Sequence, residues 1–169
     1  MAMEYWDAYD AQGRRTGGRL VRGEKIPSGR YHMVCEALVR HADGDYLLMR
    51  RHPEKQAYPG YLEATAGGSA LCGEDELACM RRELQEETGI TGATLTLVAQ
   101  SRDDEENALF FSYLAVTDCD KSSIVLQEGE TVDCVWMGER EFVAHLHSDE
   151  VIPRQRARFE AYFRSIGYM

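Results

Sequence analysis

Five side chains within a short stretch carry the clearest potential for chemistry: Glu74, Arg82, Glu83, Glu86 and Glu87. If Glu74 to Thr88 forms a helix, Glu83, Glu86 and Glu87 fall at i, i+3 and i+4, inside one arc about 100° wide. Leu77, Met80, Leu84 and Thr88 line the neighbouring arc. The helix is therefore expected to lay an apolar stripe on a sheet and to hold three carboxylates along its rim. Acidic runs on helices are ordinarily just solvated faces, but two features set this one apart. Like charges at this spacing destabilise a helix by roughly 0.2–0.5 kcal/mol per pair. They also crowd the helix C-terminus, where the macrodipole disfavours negative charge. Hard divalent cations would relieve both penalties, and an oxygen-only donor set suits Mg²⁺ or Mn²⁺ rather than zinc. Glu74 lies nine residues before Glu83 and would point about 180° away on one continuous helix. It can join the group only from the helix entrance, with Gly67, Gly68 and Gly73 supplying a bend. Arg82 can pair with Glu86 at i, i+4 or reach Glu74, orienting carboxylates in either case.

The rest of the chain must supply the frame. Its 169 residues suit one domain, and 44% apolar residues with 28% charged suffice for a core. Glu4 to Tyr9 and Gly18 to Arg22 flank a turn and are expected to pair as a hairpin. Tyr31 to Val39 and Tyr46 to Arg50 are strand-like runs joined through Asp43-Gly44, a strong turn signal. A loop from His52 to Gly60 follows. The Glu74 to Thr88 helix is closed by Gly89. Ala93 to Gln100, Leu109 to Val116 and Thr131 to Met137 read as further strands, with an acidic loop, Asp103 to Glu106, between the first two. Gly138 to His145 and Pro153 to Ile166 read as helices, the latter with Phe159, Tyr162 and Phe163 on a core-facing stripe. Strands and helices do not alternate strictly, so a mixed sheet flanked by helices is expected rather than a doubly wound parallel one.

Charge and cysteines narrow the function classes. The net charge of −10 repels polyanions and disfavours broad nucleic-acid or anionic-membrane surfaces. A small anionic ligand remains compatible where arginines or cations reverse the local sign. Cys35, Cys72, Cys79, Cys119 and Cys134 show no metal-binding or redox spacing and read as reduced cytosolic thiols. Met1 to Asp10 lacks the features of a signal peptide, and no apolar run approaches a bilayer span. A cytoplasmic location is the expectation.

The segment Gly68 to Ile90 resembles the Nudix box, G-x5-E-x7-R-E-U-x-E-E-x-G-U with U aliphatic. It matches at Gly68, Glu74, Arg82, Glu83, Leu84, Glu86, Glu87, Gly89 and Ile90. Nine defined positions over 23 residues make the likeness specific. Leu47 to Arg51 and Tyr58-Pro59-Gly60-Tyr61 also resemble the family's approach to the box. The resemblance covers roughly Tyr31 to His145 of a single domain, with residues 1–30 as an N-terminal hairpin extension and 146–169 as a C-terminal helix. It implies an α/β/α sandwich with a mixed β-sheet and a Mg²⁺-dependent pyrophosphohydrolase, Mn²⁺ being a substitute, acting on a nucleoside diphosphate linked to another group or a related small phosphorylated metabolite. Homodimerisation is compatible with it.

By that resemblance Glu83, Glu86 and Glu87 are metal ligands, with Glu74 and the Gly68 carbonyl as further members. Arg82 belongs to the catalytic set. The general base is Glu83 by first choice, then Glu106 in the acidic loop with Asp104 and Glu105, then Glu130. Arg50, Arg51 and Lys55 are candidates for holding phosphates, the alternative being a basic surface. Tyr58, Tyr61, Phe110 and Trp136 are candidates for stacking on a base, the alternative being core packing; Tyr61 is the chosen one. His32 and His52 read as structural. Two other readings compete. Glu4 to Asp10 and Gly29 to His32 resemble a subgroup similar to isopentenyl diphosphate isomerase, yet that enzyme's cysteine position falls here at Gly67 and a metal-binding histidine position at Ser69. A non-catalytic ligand-sensing module is the other, although all box carboxylates are present.

Overall fold

A computed structural model describes residues 3–169. Met1 and Ala2, the first residues of the expected hairpin extension, lie outside the described residues. The central strand is β3 (His32–His41). It pairs in parallel with β8 (Ala108–Thr117) from His32 beside Ala108 to His41 beside Thr117. Its other edge is antiparallel to β6 (Thr65–Ser69). Beyond the Asp43-Gly44 turn it meets β4 (Tyr46–Arg51). β4 in turn carries β5 (Leu62–Glu63) and β9 (Thr131–Met137). β7 (Thr94–Asp103) completes the sheet along β8. One parallel pair among antiparallel ones makes the sheet mixed, as the non-alternating pattern implies.

Both faces of this sheet are covered, which explains why β3 and β4 are apolar at consecutive positions. On one face Cys35, Ala37, Val39, Leu47 and Met49 pack against Cys79, Met80 and Leu84 of α1 (Glu76–Thr88). On the other, Leu38, Tyr46 and Leu48 pack against Phe142 and Leu146 of α2 (Glu139–Leu146), and against Phe159 and Phe163. This is an α/β/α sandwich. The N-terminal strands β1 (Tyr5–Tyr9) and β2 (Arg15–Val21) form a separate two-stranded sheet. No helix among the described residues is long and apolar enough to cross a membrane.

Three local expectations need correction. The stretch from Pro153 to Ile166 is two short helices, α3 (Pro153–Arg158) and α4 (Glu160–Ser165), broken at Phe159 (φ −97°, ψ 3°). The neighbours Arg158 and Phe159 both turn inward, Arg158 to the buried Glu36 carboxylate at 2.5 and 2.7 Å. A straight helix would splay them about 100° apart. On α1 Leu77 is 43% exposed, whereas Cys79 is fully buried and takes its place in the packed stripe. Gly67 and Gly68 do not form a flexible bend but sit inside β6, opposite Glu36 and Cys35.

Gly67 serves close approach. A Cβ there would stand 2.2 Å from the Cys35 carbonyl oxygen and 2.6 Å from the Glu36 Cα, both backbone atoms that cannot move aside. Gly67→Ala is accordingly expected to destabilise the protein by at least about 2 kcal/mol in denaturant unfolding. An unchanged midpoint would mean the β3–β6 contact is looser than described.

Candidate active site

The helix that carries the acidic rim is firmly placed. Asp75 caps its N-terminus, accepting from the Ala78 N–H at 2.8 Å. Gly89 closes it in the left-handed conformation (φ 74°), its N–H bonding the Gln85 carbonyl. Met80, Leu84 and Thr88 face the sheet, so Glu83, Glu86 and Glu87 come up along its edge, facing β6. These carboxylates, with Gly67, Gly68 and Ser69, line a cavity of about 310 Å³.

Arg82 organises the rim. Its guanidinium donates to Glu74 Oε1 at 2.7 Å and Oε2 at 2.9 Å, to Glu83 Oε1 at 2.6 Å and to Glu86 Oε2 at 3.1 Å. It also reaches the Ser69 carbonyl at 3.1 Å. Both pairings open to Arg82 from the sequence, with Glu86 and with Glu74, thus form together. Glu74 stands just before the N-cap, as the spacing requires, and its Oε2 also accepts from the Leu71 N–H. The Arg82 guanidinium holds the Glu74 carboxyl below the usual range. Burial pushes the Glu83 carboxyl up, against the opposing pull of Arg82. Glu87 lies beyond that guanidinium and accepts from the Gly67 N–H at 3.0 Å. Burial, reinforced by Glu63, raises its carboxyl to about 8.

With three glutamates turned to Arg82, no three acidic, histidine or cysteine side chains among the described residues converge on one point. The donor set nevertheless fits a hard divalent cation. It offers carboxylate oxygens and a backbone carbonyl on one half-buried rim, without sulfur or imidazole. Gly68 leaves the room required, since a Cβ there would lie 2.6 Å from the Glu83 carboxylate. Its carbonyl now accepts from the Cys79 thiol at 3.6 Å.

The remaining sequence candidates divide. Lys55 and Glu130 line the cavity and pair with each other. Glu106 is not among the lining residues; its carboxylate is paired with Arg154. Arg50 donates to the Gly60 carbonyl and, with the 38%-exposed Tyr61, borders a different depression. Arg51 is engaged by Glu63 at 2.6 Å and by the Ala57 carbonyl. Tyr58 and Tyr61 meet edge to face, while Phe110 is buried beneath the Arg158 guanidinium. His32 is buried, stacked on Trp6 and bonded to the Ser69 hydroxyl; burial lowers its imidazole to about 4, which keeps it neutral. His52 accepts from the Glu54 N–H within its own turn. All five cysteines are free.

Arg22, Glu4 and Gln127 also line the cavity, and the sequence reading passed over them. One signal was present for Arg22: residues 1–30 hold six basic and four acidic side chains, in a chain of net charge −10.

The NUDIX domain family matches residues 30–157. The chain belongs to the Nudix family. An uncharacterized Nudix hydrolase of Listeria monocytogenes is 34% identical over 153 residues, covering 89% of each chain. The crystal structure of DR0079 from Deinococcus radiodurans has a TM-score of 0.69 at 19% identity, covering 88% of this chain and 91% of that one. A bifunctional NMN adenylyltransferase/ADP ribose pyrophosphatase from Francisella tularensis, complexed with AMP and a Mn ion, has a TM-score of 0.57 at 18% identity, covering 80% and 41%. These structural likenesses concern the fold. Family membership makes the chain a Nudix hydrolase, an enzyme of phosphorus-containing acid anhydrides. Position 67, where the isomerase's cysteine would fall, is a glycine here, and a Cβ on it would stand 2.2 Å from the Cys35 carbonyl oxygen.

The raised Glu87 carboxyl has a consequence for the metal-free protein. An unfolded chain ionises a glutamate near 4.3 (about the ordinary value), whereas folded Glu87 stays protonated to about 8. Between those limits the folded state binds the extra proton, so this contribution to stability falls as pH rises. Glu87→Gln cannot ionise and keeps an acceptor for the Gly67 N–H. The variant is expected to gain stability over the wild type, on the order of 2 kcal/mol, as pH rises from 5 to 8. Chemical denaturation without divalent cations measures this. A pH-independent difference would place Glu87 in a solvated, ordinary setting.

Proposed function

We propose that this chain is a Mg²⁺-dependent pyrophosphohydrolase, with Mn²⁺ as a substitute, that cleaves the diphosphate linkage of a nucleoside diphosphate joined to another group or of a related small phosphorylated metabolite. The observation that carries this reading is the run of three glutamates on α1 facing the glycine strand β6, ordered by one arginine. Glu83, Glu86 and Glu87, with the Gly68 carbonyl, would hold the cation. When bound, such a cation neutralises diphosphate oxygens and acidifies water.

The chain's own residues do the rest. Arg82 fixes Glu83 and Glu86 in orientation, and Glu74 anchors Arg82 through both of its oxygens. Glu83 is held through Oε1 alone. Its second oxygen has no hydrogen bond among the described residues, and burial favours its taking up a proton. That combination makes it the first choice as general base. Glu130, which lines the cavity beside Lys55, is the better second choice than Glu106, which does not line it. Lys55 faces the cavity and is suited to a phosphate. Arg50, Arg51 and Tyr61 border other surfaces and have weaker claims on the substrate.

A panel of nucleoside diphosphate derivatives, ADP-ribose included, should give Mg²⁺-dependent release of phosphate-bearing products. Glu86→Gln and Glu87→Gln are each expected to lower turnover by about a hundredfold or more while circular dichroism stays native. Undiminished turnover in both would remove the metal-rim reading. Tight binding of a panel member without turnover would make the chain a sensor.

A further inference from the structure

We propose that Arg22, on the N-terminal hairpin and outside the residues matched to the NUDIX domain, is a phosphate-binding residue of this cavity that exchanges Glu4 for a diphosphate oxygen when substrate enters. The inference rests on the hydrolase reading above and deepens it.

Three basic side chains line the cavity: Arg22, Lys55 and Arg82. They are not equally available. Arg82 is committed to Glu74, Glu83, Glu86 and the Ser69 carbonyl, and moving it would disperse the rim. Lys55 is a point charge paired with Glu130. Arg22 donates through Nη1 to both Glu4 oxygens, at 3.0 and 2.9 Å. That pair is largely exposed, with side chains 63% and 41% accessible. Exposed pairs of this kind are worth little, so the guanidinium can leave Glu4 at small cost. A fork-shaped donor matches the paired oxygens of a diphosphate better than an ammonium does.

The hairpin is fixed on the site by several bonds. The Cys72 N–H donates to the Tyr5 carbonyl at 2.8 Å, and the Gly73 N–H to Asp7 Oδ2 at 2.8 Å. Arg15 donates to the Glu74 carbonyl at 2.6 Å. Trp6 stacks on His32 with ring centroids 4.3 Å apart. Each contact lands on or beside the loop between β6 and α1, so the strand that leads to Arg22 is registered against the acidic rim. The charge distribution agrees. Residues 1–30 carry a net charge of +2 and the remainder −12, and Arg22 is the basic side chain of that segment that lines the cavity.

The test uses the full-length protein and inorganic pyrophosphate, titrated calorimetrically with and without Mn²⁺. Arg22→Gln is expected to weaken pyrophosphate binding about 10- to 100-fold, with Arg22→Lys recovering part of the loss. Glu4→Gln, which removes the competing carboxylate, is expected to tighten binding. Mn²⁺ affinity, titrated alone, should be the same in all three variants as in the wild type. Equal pyrophosphate binding by Arg22→Gln and the wild type overturns the proposal, as does a wild type that does not bind pyrophosphate at all. Absence of Mn²⁺ binding by the wild type instead strikes at the hydrolase reading, while the metal-free titration still reads Arg22.

Discussion

The site depends on the guanidinium of Arg82. Glu74, Glu83, Glu86 and Glu87 gather on one half-buried edge, and their mutual repulsion would drive the first three apart without a cation among them. A planar, permanently charged group with five donors can satisfy several carboxylates at once, which an ammonium cannot. The arrangement also divides the rim. Glu74, gripped at both oxygens, is held below the usual carboxyl range. Glu87, one turn beyond Arg82, has only the Gly67 N–H to set against burial, and its carboxyl rises to about 8. A single arginine thus leaves neighbouring carboxylates with different affinities for protons, on a surface that would otherwise be uniformly acidic.

What lets Arg82 act is the closeness of β6 to β3. Gly67 has no side chain because the β3 backbone occupies its place, and Gly68 has none because the Glu83 carboxylate does. The glycine strand therefore brings the Ser69 carbonyl within reach of Arg82 and the Gly67 N–H within reach of Glu87. Beside the rim a second set of polar side chains is closed upon itself. Glu36 is taken by Arg158 and Ser112, and Glu63 by Arg51 and Gln155. Their burial demands pairing, so Arg51 is engaged in the frame and withheld from the cavity.

The legible parts of the molecule were those whose signal is local. The box helix announces itself by period, by Gly89 at its end, and by carboxylates at a spacing that the backbone alone converts into one edge, although its start lies two residues later than the sequence suggests, after the Asp75 cap. The strands β3, β4, β8 and β9 are rich in branched and aromatic residues and could be placed to within one or two positions. β6 was hidden because Ala66, Gly67 and Gly68 have poor strand propensity; only the neighbouring β3 backbone explains them. The break at Phe159 was hidden for a similar reason, since the inward turn of Arg158 answers to Glu36, more than a hundred residues away. Family resemblance supplied the reaction class and suggested a ligand set. It could not say which of Arg50, Arg51, Lys55 and Arg22 meets the cavity, because that depends on how loops and the hairpin dock.

Docking of the hairpin also joins two parts of the chain that the sequence presents as separate. Glu74 receives Arg15 of the hairpin on its backbone carbonyl and Arg82 of the box on its carboxylate. Displacing the hairpin would loosen the Leu71 to Glu74 loop, and with it the carboxylate that anchors Arg82 beside Glu83. The extension is consequently one wall of the cavity and a brace for the acidic rim. It contributes one basic and one acidic side chain, Arg22 and Glu4, to the lining of that cavity, and because it is folded as its own small sheet it does so without altering the charges buried beneath the main one.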